Sequence, residues 1–179
     1  RLSRCGYRRL ESRYGRRWNR EELIIAFNYY CQTPFGRLHK SNPEIIDLAS
    51  LLRRTPDALA MKLVNFASLD PHHKSRGVKG LGHAGPMAES VFKEFQTNWS
   101  ELALESQVAR EKLLVRASEI STDTEITEPT VRKTEDTRMA QVRLVQSFFR
   151  KTVLAVYGSD CAICRISLPE VIIASHIIP

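Results

Sequence analysis

Two prolines, each preceded by a capping residue, divide the first third of the chain into short helices. Asn42 precedes Pro43 and Thr55 precedes Pro56, and each pair has the pattern of an N-cap followed by the first helical position. Residues 53–55 are all that separate the second predicted helix from the third. A connection this short forces the two helices into a tight angle, as in a helix-turn-helix. The sequence therefore predicts a mainly α-helical amino-terminal region.

Apolar residues at helical spacing mark three helices, which we assign to one tri-helical module at residues 18–71. The first helix is predicted to end at Pro34 and Gly36. The three apolar stripes are Leu23, Ile24, Phe27 and Tyr30, then Ile45, Leu48, Ala49 and Leu52, then Leu59, Leu63 and Phe66. Such a module is either a helix-turn-helix that contacts DNA or a three-helix bundle that packs against the rest of the protein.

In the DNA-binding interpretation, residues 56–66 form the recognition helix. Its outward positions are predicted to be Asp57, Ala60, Lys62 and Asn65. Lys62 and Asn65 are the two whose side chains commonly contact phosphates or bases, so we predict that they bind DNA.

The positive charge of the chain is concentrated at its amino terminus. The formal net charge is +7, and residues 1–20 hold eight arginines against one acidic residue, Glu11. We predict a basic arm at residues 1–17 that binds a polyanion, because each phosphate neutralised releases counterions. The predicted DNA contacts of the arm are Arg8, Arg9, Arg16 and Arg17. The alternative is a solvated, disordered tail.

Residues 72–118 are predicted to form a loop followed by a long helix or two helices in line. The stretch 71–86 is rich in Gly, Lys and His and is predicted to be a loop, and its histidines lack acidic or cysteine neighbours at ligand spacing. The helical stripe comprises Val91, Phe95, Trp99, Leu102, Leu113 and Val115. Residues 119–137 are dominated by Ser, Thr, Asp and Glu, so we expect a linker and a domain boundary there.

A last helix is predicted from about Thr137 to Tyr157, ended by Gly158. Its apolar positions are Val142, Val145, Phe149, Val153 and Val156. The opposite face carries Lys151 together with Arg143 and Arg150, and we predict that the two arginines contact DNA.

Cys161 and Cys164 follow this helix as a C-x-x-C pair, the spacing by which two thiolates reach one zinc ion from a tight turn. A redox site with this spacing lies at the head of a helix, whereas here the helix comes first. Two buried free thiols remain the alternative.

Residues 171–178 are β-branched and apolar, which predicts a short buried strand that contains Ser175 and His176.

The run RLVQSFFRKTVLAVYGSDCAICRISLPEVIIASHIIP, residues 143–179, resembles the start of the HNH endonuclease domains of bacterial restriction-like proteins. The shared elements, in order, are a helix with Phe-Arg and Val-Leu, an aromatic residue near its end, the cysteine knuckle and a strand with His-Ile-x-Pro. Residues 18–71 resemble the region that accompanies such domains and, more loosely, Myb/SANT-type modules.

This resemblance implies that residues 138–179 are the first half of a ββα-metal domain, an α+β unit. It implies that His176 is the general base, that Mg²⁺ or Mn²⁺ is the catalytic cofactor, and that Cys161 and Cys164 hold half of a structural zinc site. Many HNH proteins have a metal-binding Asp where this chain has Ser175, a poor ligand. We expect the remaining HNH residues beyond Pro179, so the chain as given should be inactive.

Taken together, the sequence predicts a cytoplasmic DNA-cutting enzyme of restriction or defence type, with no membrane-spanning segment. The alternative is a DNA-binding regulator in which the knuckle is only a zinc-stapled structural module. The two are distinguished by whether an Asn and a His follow at motif spacing. Nothing in the sequence indicates the cleavage sequence, the preferred metal or the oligomeric state.

Overall fold

The computed structural model describes residues 16–77, 80–119, 134–158, 160–161, 163–168, 170 and 172–174. In these residues the chain forms seven α-helices and a single 3-10 helix, and no strand. The α-helices are α1 (Arg20–Cys31), α2 (Pro43–Leu51), α3 (Pro56–Leu69), α4 (Pro71–Ser75), α5 (Pro86–Phe95), α6 (Trp99–Glu119) and α7 (Thr134–Tyr157), and the 3-10 helix is Phe35–Arg37.

The three predicted amino-terminal helices are confirmed, and so are two of their caps. The Asn42 side chain accepts a hydrogen bond from the Glu44 backbone N–H at 3.1 Å, and the Thr55 hydroxyl accepts one from Ala58 at 3.2 Å. All members of the three predicted apolar stripes are buried. A further cap, which we did not predict, lies at the start of α1, where Asn19 and Glu22 form a capping box.

Helix α3 lies at the centre of the bundle, because α1, α2, α4 and α5 all pack against it. An aromatic cluster joins these elements: the ring centroid of Phe27 lies 5.0 Å from that of Phe66 and 5.3 Å from that of Phe92. Helix α6 then packs on α1, and α7 packs on α6. Helix α3 is therefore enclosed by other helices rather than presented on one side of the molecule.

A buried ion pair fixes the start of α1 against the turn between α2 and α3. Glu22 is 2% exposed, and the Arg54 guanidinium donates to its carboxylate at 2.8 Å. Arg54 also donates to the backbone carbonyls of Arg16 and Arg17 and lies 4.3 Å from the ring centroid of Trp18. Burying two charges is favourable only when each is well paired, and these contacts provide the pairing.

The predicted loop at 71–86 contains a short helix, so that part of the prediction was wrong. Asp70 caps α4 by accepting a hydrogen bond from the His72 backbone N–H at 2.9 Å, and Pro71 is the first helical residue. This is the same cap-and-proline signal that marked α2 and α3. After the loop, the sequence predicted either one long helix or two helices in line. The structure has two, because residues 96–98 separate α5 from α6.

The prediction of the apolar face of α7 was wrong: the buried face is shifted by about one residue along the sequence from the predicted one. The most buried side chains of this helix are Phe148 and Thr152, whereas Val142 and Val156 are 49% and 40% exposed. Phe148 contacts Trp99 at the start of α6 with ring centroids 6.4 Å apart, so an aromatic contact sets the orientation of α7. Helix α7 also begins three residues before the predicted Thr137. Most of the predicted linker, residues 120–133, lies outside the described residues.

The predicted strand at 171–178 is not formed where the structure describes it. Residues 172–174 are irregular, and Ile173 is 83% exposed. A strand requires a neighbour for its backbone hydrogen bonds, and the described part of the chain offers no other strand. Ser175 and His176 lie outside the described residues, as does the predicted second strand of a ββα unit.

None of the described helices combines the length and the apolar character needed to cross a membrane.

We predict that Arg54→Ala lowers the free energy of unfolding by about 3–5 kcal/mol, because it leaves the Glu22 carboxylate buried beside a weaker partner. Lys40→Ala is the matched control, since it removes a pair with Asp57 in which both side chains are about two-thirds exposed, and it should cost about 1 kcal/mol at most. Urea denaturation followed by circular dichroism measures both. Equal losses of stability in the two variants would contradict the structural role of the buried pair.

Candidate functional site

The cysteine pair lies in a tight turn directly after α7. Gly158 has a φ of 78° and ends the helix. The Arg165 backbone N–H donates to the Cys161 carbonyl at 3.0 Å, and the Cys161 N–H donates to the Ile166 carbonyl at 2.9 Å. Arg165 itself has a φ of 60°, a left-handed conformation that closes the turn. The backbone thus forms the knuckle that the C-x-x-C spacing predicts.

The turn directs polar hydrogens at one sulfur. The backbone N–H groups of Cys164 and of Ile163, and then the Cys164 side chain, are hydrogen-bonded to Cys161 and lower the pKa of its thiol below the ordinary value. Cys161 is half-buried, and Cys164 is exposed. A thiolate is the form that binds metal, so this geometry prepares Cys161 to be a ligand.

The donor set of the knuckle fits zinc. Two cysteine sulfurs on one turn supply half of the four ligands that a structural zinc uses. Within the described residues, no group of three or more His, Cys, Asp or Glu is placed to hold a metal ion. Cys161 and Cys164 would therefore be the residues that hold such an ion.

A further contact, which we did not predict, closes the knuckle. The Ser167 hydroxyl donates to the Asp160 carboxylate across the base of the turn. Polar residues that flank a cysteine pair on both sides are the signal that could have suggested this contact. Together with the backbone bonds it closes the turn formed by residues 160–161 and 163–167.

The two predicted DNA-contacting arginines of α7 have different environments. Arg143 is exposed. Arg150 is half-buried and its guanidinium donates to the backbone carbonyl of Ile172, so it holds the segment after the knuckle against α7. This contact places Ile172, four residues before His176 in sequence, beside the helix. Arg150 is therefore a positioning residue in this structure.

The predicted recognition helix does not present the residues that we expected. Ala60, predicted to face outward, is buried. The Lys62 ammonium donates to the Ala84 carbonyl at 2.9 Å and lies 5.6 Å from the Trp18 ring centroid, and burial together with the Arg54 cation lowers its pKa. Asn65 is half-buried. The enclosed position of α3 is the reason: helix α5 and the segment before it cover the face that a DNA groove would need.

The basic arm is described only at its carboxyl end. Arg16 pairs with Glu22 but keeps its side chain 49% exposed, and Arg17 is also exposed. Arg8 and Arg9 lie outside the described residues. Arg54 therefore attaches the backbone of Arg16 and Arg17 to the bundle. The side chains of these two arginines remain accessible to solvent.

Comparison of the chain with family descriptions, with curated protein sequences and with solved structures found no match in any of the three.

We predict that Cys161 reacts with iodoacetamide faster than Cys31 at pH 7 in chelator-treated protein, by about tenfold or more. A lowered pKa enlarges the thiolate fraction of Cys161 at this pH, whereas burial and then the Asp70 carboxylate raise the pKa of the Cys31 thiol. Mass spectrometry of the cysteine peptides measures both rates. Cys164→Ala should slow the reaction of Cys161, because it removes the side-chain hydrogen bond to that sulfur. Labelling of Cys31 at the rate of Cys161 would contradict the proposed activation of Cys161 by the turn.

Proposed function

We propose that this chain belongs to a metal-dependent endonuclease of the HNH type that hydrolyses phosphodiester bonds in DNA. The observation that carries the proposal is the knuckle: Cys161 and Cys164 lie in a turn after α7 that is closed by backbone hydrogen bonds from Arg165 to Cys161 and from Cys161 to Ile166. The order of helix, knuckle and SHIIP run in the sequence supports the same interpretation. Because the comparisons found no match, the proposal rests on these residues.

The Arg150 contact supports the catalytic role proposed for His176. Arg150 donates to the carbonyl of Ile172 and holds that residue against α7. Residues 172–174 lead directly to the Ser-His pair. A general base must stand within hydrogen-bond reach of its water, so a fixed approach of the chain is what such a base requires.

In the proposed reaction, the His176 imidazole accepts a proton from the attacking water. A neutral imidazole with an ordinary pKa near ~6.5 can do this at cellular pH. A bound Mg²⁺ or Mn²⁺ would supply charge stabilisation for the phosphate and the leaving oxygen. Ser175 stands where many HNH proteins have an Asp ligand, and the proposal gives it no ligand role.

The basic arm and α7 are the proposed DNA-binding surfaces, in place of α3. Arg16, Arg17 and Arg143 are exposed, and phosphate contacts require accessible cations. The exposed positions of α3 include Asp57 and Met61, which offer no cation. We therefore propose that the tri-helical module supports the arm rather than reading bases.

The knuckle also fits a DNA-binding regulator in which zinc only stabilises the fold. The two proposals share the arm, the module and the cysteines. They differ at His176, which is a general base in the first and has no chemical role in the second.

We predict that His176→Ala lowers the rate of plasmid nicking by the complete gene product in Mg²⁺ or Mn²⁺ by about 10²–10⁴-fold, because the proton acceptor is removed. Binding to a short duplex should be unchanged. His83→Asn is the matched control: His83 is exposed with a φ of 63°, a conformation that Asn tolerates, and this variant should nick at the wild-type rate. Nicking by His176→Ala at the wild-type rate, or no nicking by the wild type, would favour the regulator.

We predict that deletion of residues 1–15 weakens DNA binding and flattens its salt dependence. The deleted stretch contains five arginines but leaves Arg16 and Arg17, whose carbonyls bind Arg54. The slope of log K against log salt should fall by about 0.9 for each phosphate that the shortened protein no longer neutralises. Fluorescence anisotropy with a labelled duplex at several salt concentrations measures the slope, and unfolding by urea controls for stability. An unchanged slope would show that the arm does not contact DNA.

A further inference from the structure

A cavity of about 560 Å³ lies away from the knuckle, between the end of α1, the 3-10 helix, α4, the start of α6 and the last turns of α7. This volume is within the range of sites for small molecules. Its walls are largely apolar and aromatic, with Phe35, Trp99, Val153 and Tyr157 among the lining residues. Sites with such walls usually contain a few polar atoms that orient the ligand.

Two residues that line the cavity, Thr152 and His73, each have a buried polar atom with no hydrogen-bond partner among the described residues. Thr152 is 2% exposed, and its hydroxyl is unpartnered although it lines the cavity. A threonine inside a helix commonly donates to the carbonyl four residues earlier, and Thr152 does not. The Nδ1 atom of His73 is likewise buried and unpartnered. A buried polar atom without a partner costs about 1–3 kcal/mol, so two at one cavity indicate a ligand that would satisfy them.

The hydroxyls of Tyr30 and Thr33 and the carboxylate of Asp70 are already satisfied by hydrogen bonds within the chain. The Tyr30 hydroxyl donates to the Asp70 carboxylate at 2.8 Å, and the other Asp70 oxygen accepts from the His72 backbone. The Thr33 hydroxyl, also at the cavity, donates to the Tyr29 carbonyl at 2.9 Å. Free hydrogen-bonding capacity is thus offered by Thr152 and His73.

The charges around the cavity indicate what part of a ligand enters it. Burial lowers the pKa of His73, so its ring is neutral at pH 7 and Nδ1 can donate or accept. The Thr152 hydroxyl can also donate or accept. Arg76 lines the cavity and is exposed. The interior therefore suits a neutral group with a mixed donor and acceptor edge, and the rim suits an anion.

A flat aromatic group fits the walls. The His73 ring lies 5.2 Å from Phe35 and 6.2 Å from Tyr30 between centroids, so one side of the cavity is a cluster of rings. Trp99, which is 37% exposed, belongs to another part of the lining. Aromatic surfaces stack on the faces of heteroaromatic rings, and bases stack on proteins in this way.

We propose that this cavity binds a nucleobase, with its polar edge on Thr152 and His73 and its phosphate towards Arg76. The base can come from a free nucleotide or from a nucleotide turned out of DNA. The second source rests on the proposed function, whereas the first does not. The site contains no residue of the knuckle and has no part in the proposed hydrolysis.

The test uses isothermal titration calorimetry of the full chain with AMP, GMP, CMP and TMP. We expect at least one to bind, and Thr152→Val to weaken its binding by about 3- to 10-fold, because one hydrogen bond is removed. His73→Phe, which keeps a ring but removes Nδ1, should weaken it similarly. Thr33→Val is the matched control and should change the affinity by less than about twofold, since the Thr33 hydroxyl is already bonded within the chain.

Stability distinguishes a ligand-binding hydroxyl from a structural one. Without nucleotide, Thr152→Val should keep or raise the melting temperature, because it removes an unpartnered buried hydroxyl, while Thr33→Val should lower it. A lower melting temperature for Thr152→Val would overturn the proposal. So would wild-type affinity in both Thr152→Val and His73→Phe.

Competition identifies the source of the base. A duplex with one mismatch should displace the bound nucleotide better than the matched duplex if the base comes from DNA, because a mismatched base leaves the stack more easily. Equal displacement by the two duplexes would assign the cavity to free nucleotides. Failure of all four nucleotides to bind at millimolar concentration would overturn the proposal. Calorimetry does not depend on cleavage, so a failed nicking assay leaves this result interpretable.

Discussion

The buried pair of Glu22 and Arg54 is the interaction on which the rest of the structure depends. It joins the first turn of α1 to the turn between α2 and α3, and through two backbone carbonyls it also attaches the end of the basic arm. Once α1 and α3 are fixed in this way, α5 and α6 pack around them and α7 packs on α6. Because both side chains are buried, removal of Arg54 leaves the Glu22 carboxylate with Arg16 as its remaining ion-pair partner.

This arrangement separates the roles of the helices. Helix α3 stabilises the bundle from its centre, and its lysine binds a backbone carbonyl rather than solvent. Exposed cations lie instead on the arm and on α7, which ends directly before the cysteine knuckle. Arg150 connects α7 to the chain after the knuckle. The tri-helical module is attached to the described end of the arm through Arg54.

The sequence predicted those elements whose signals are local. Caps such as Asn42 and Thr55 and the stripes of the first three helices are set by neighbours within a few residues, and the structure confirms them. The orientation of α7 depends on the contact between Phe148 and Trp99, which are distant in sequence, so helical spacing alone misplaced its face. The pair of Glu22 and Arg54 and the unpartnered Thr152 are also products of tertiary packing. The turn that contains the two cysteines could be predicted because their spacing is short and local, and backbone bonds within residues 161–166 close it.

X-ray absorption at the zinc edge of the purified complete gene product tests the central claim, that Cys161 and Cys164 form a metal-binding knuckle. We expect bound zinc with sulfur ligands at about 2.3 Å. We also expect this sulfur signal to fall in a variant with serine at both positions. Zinc bound without sulfur ligands, or an unchanged sulfur signal in that variant, would contradict the knuckle and remove the observation that carries the proposed function.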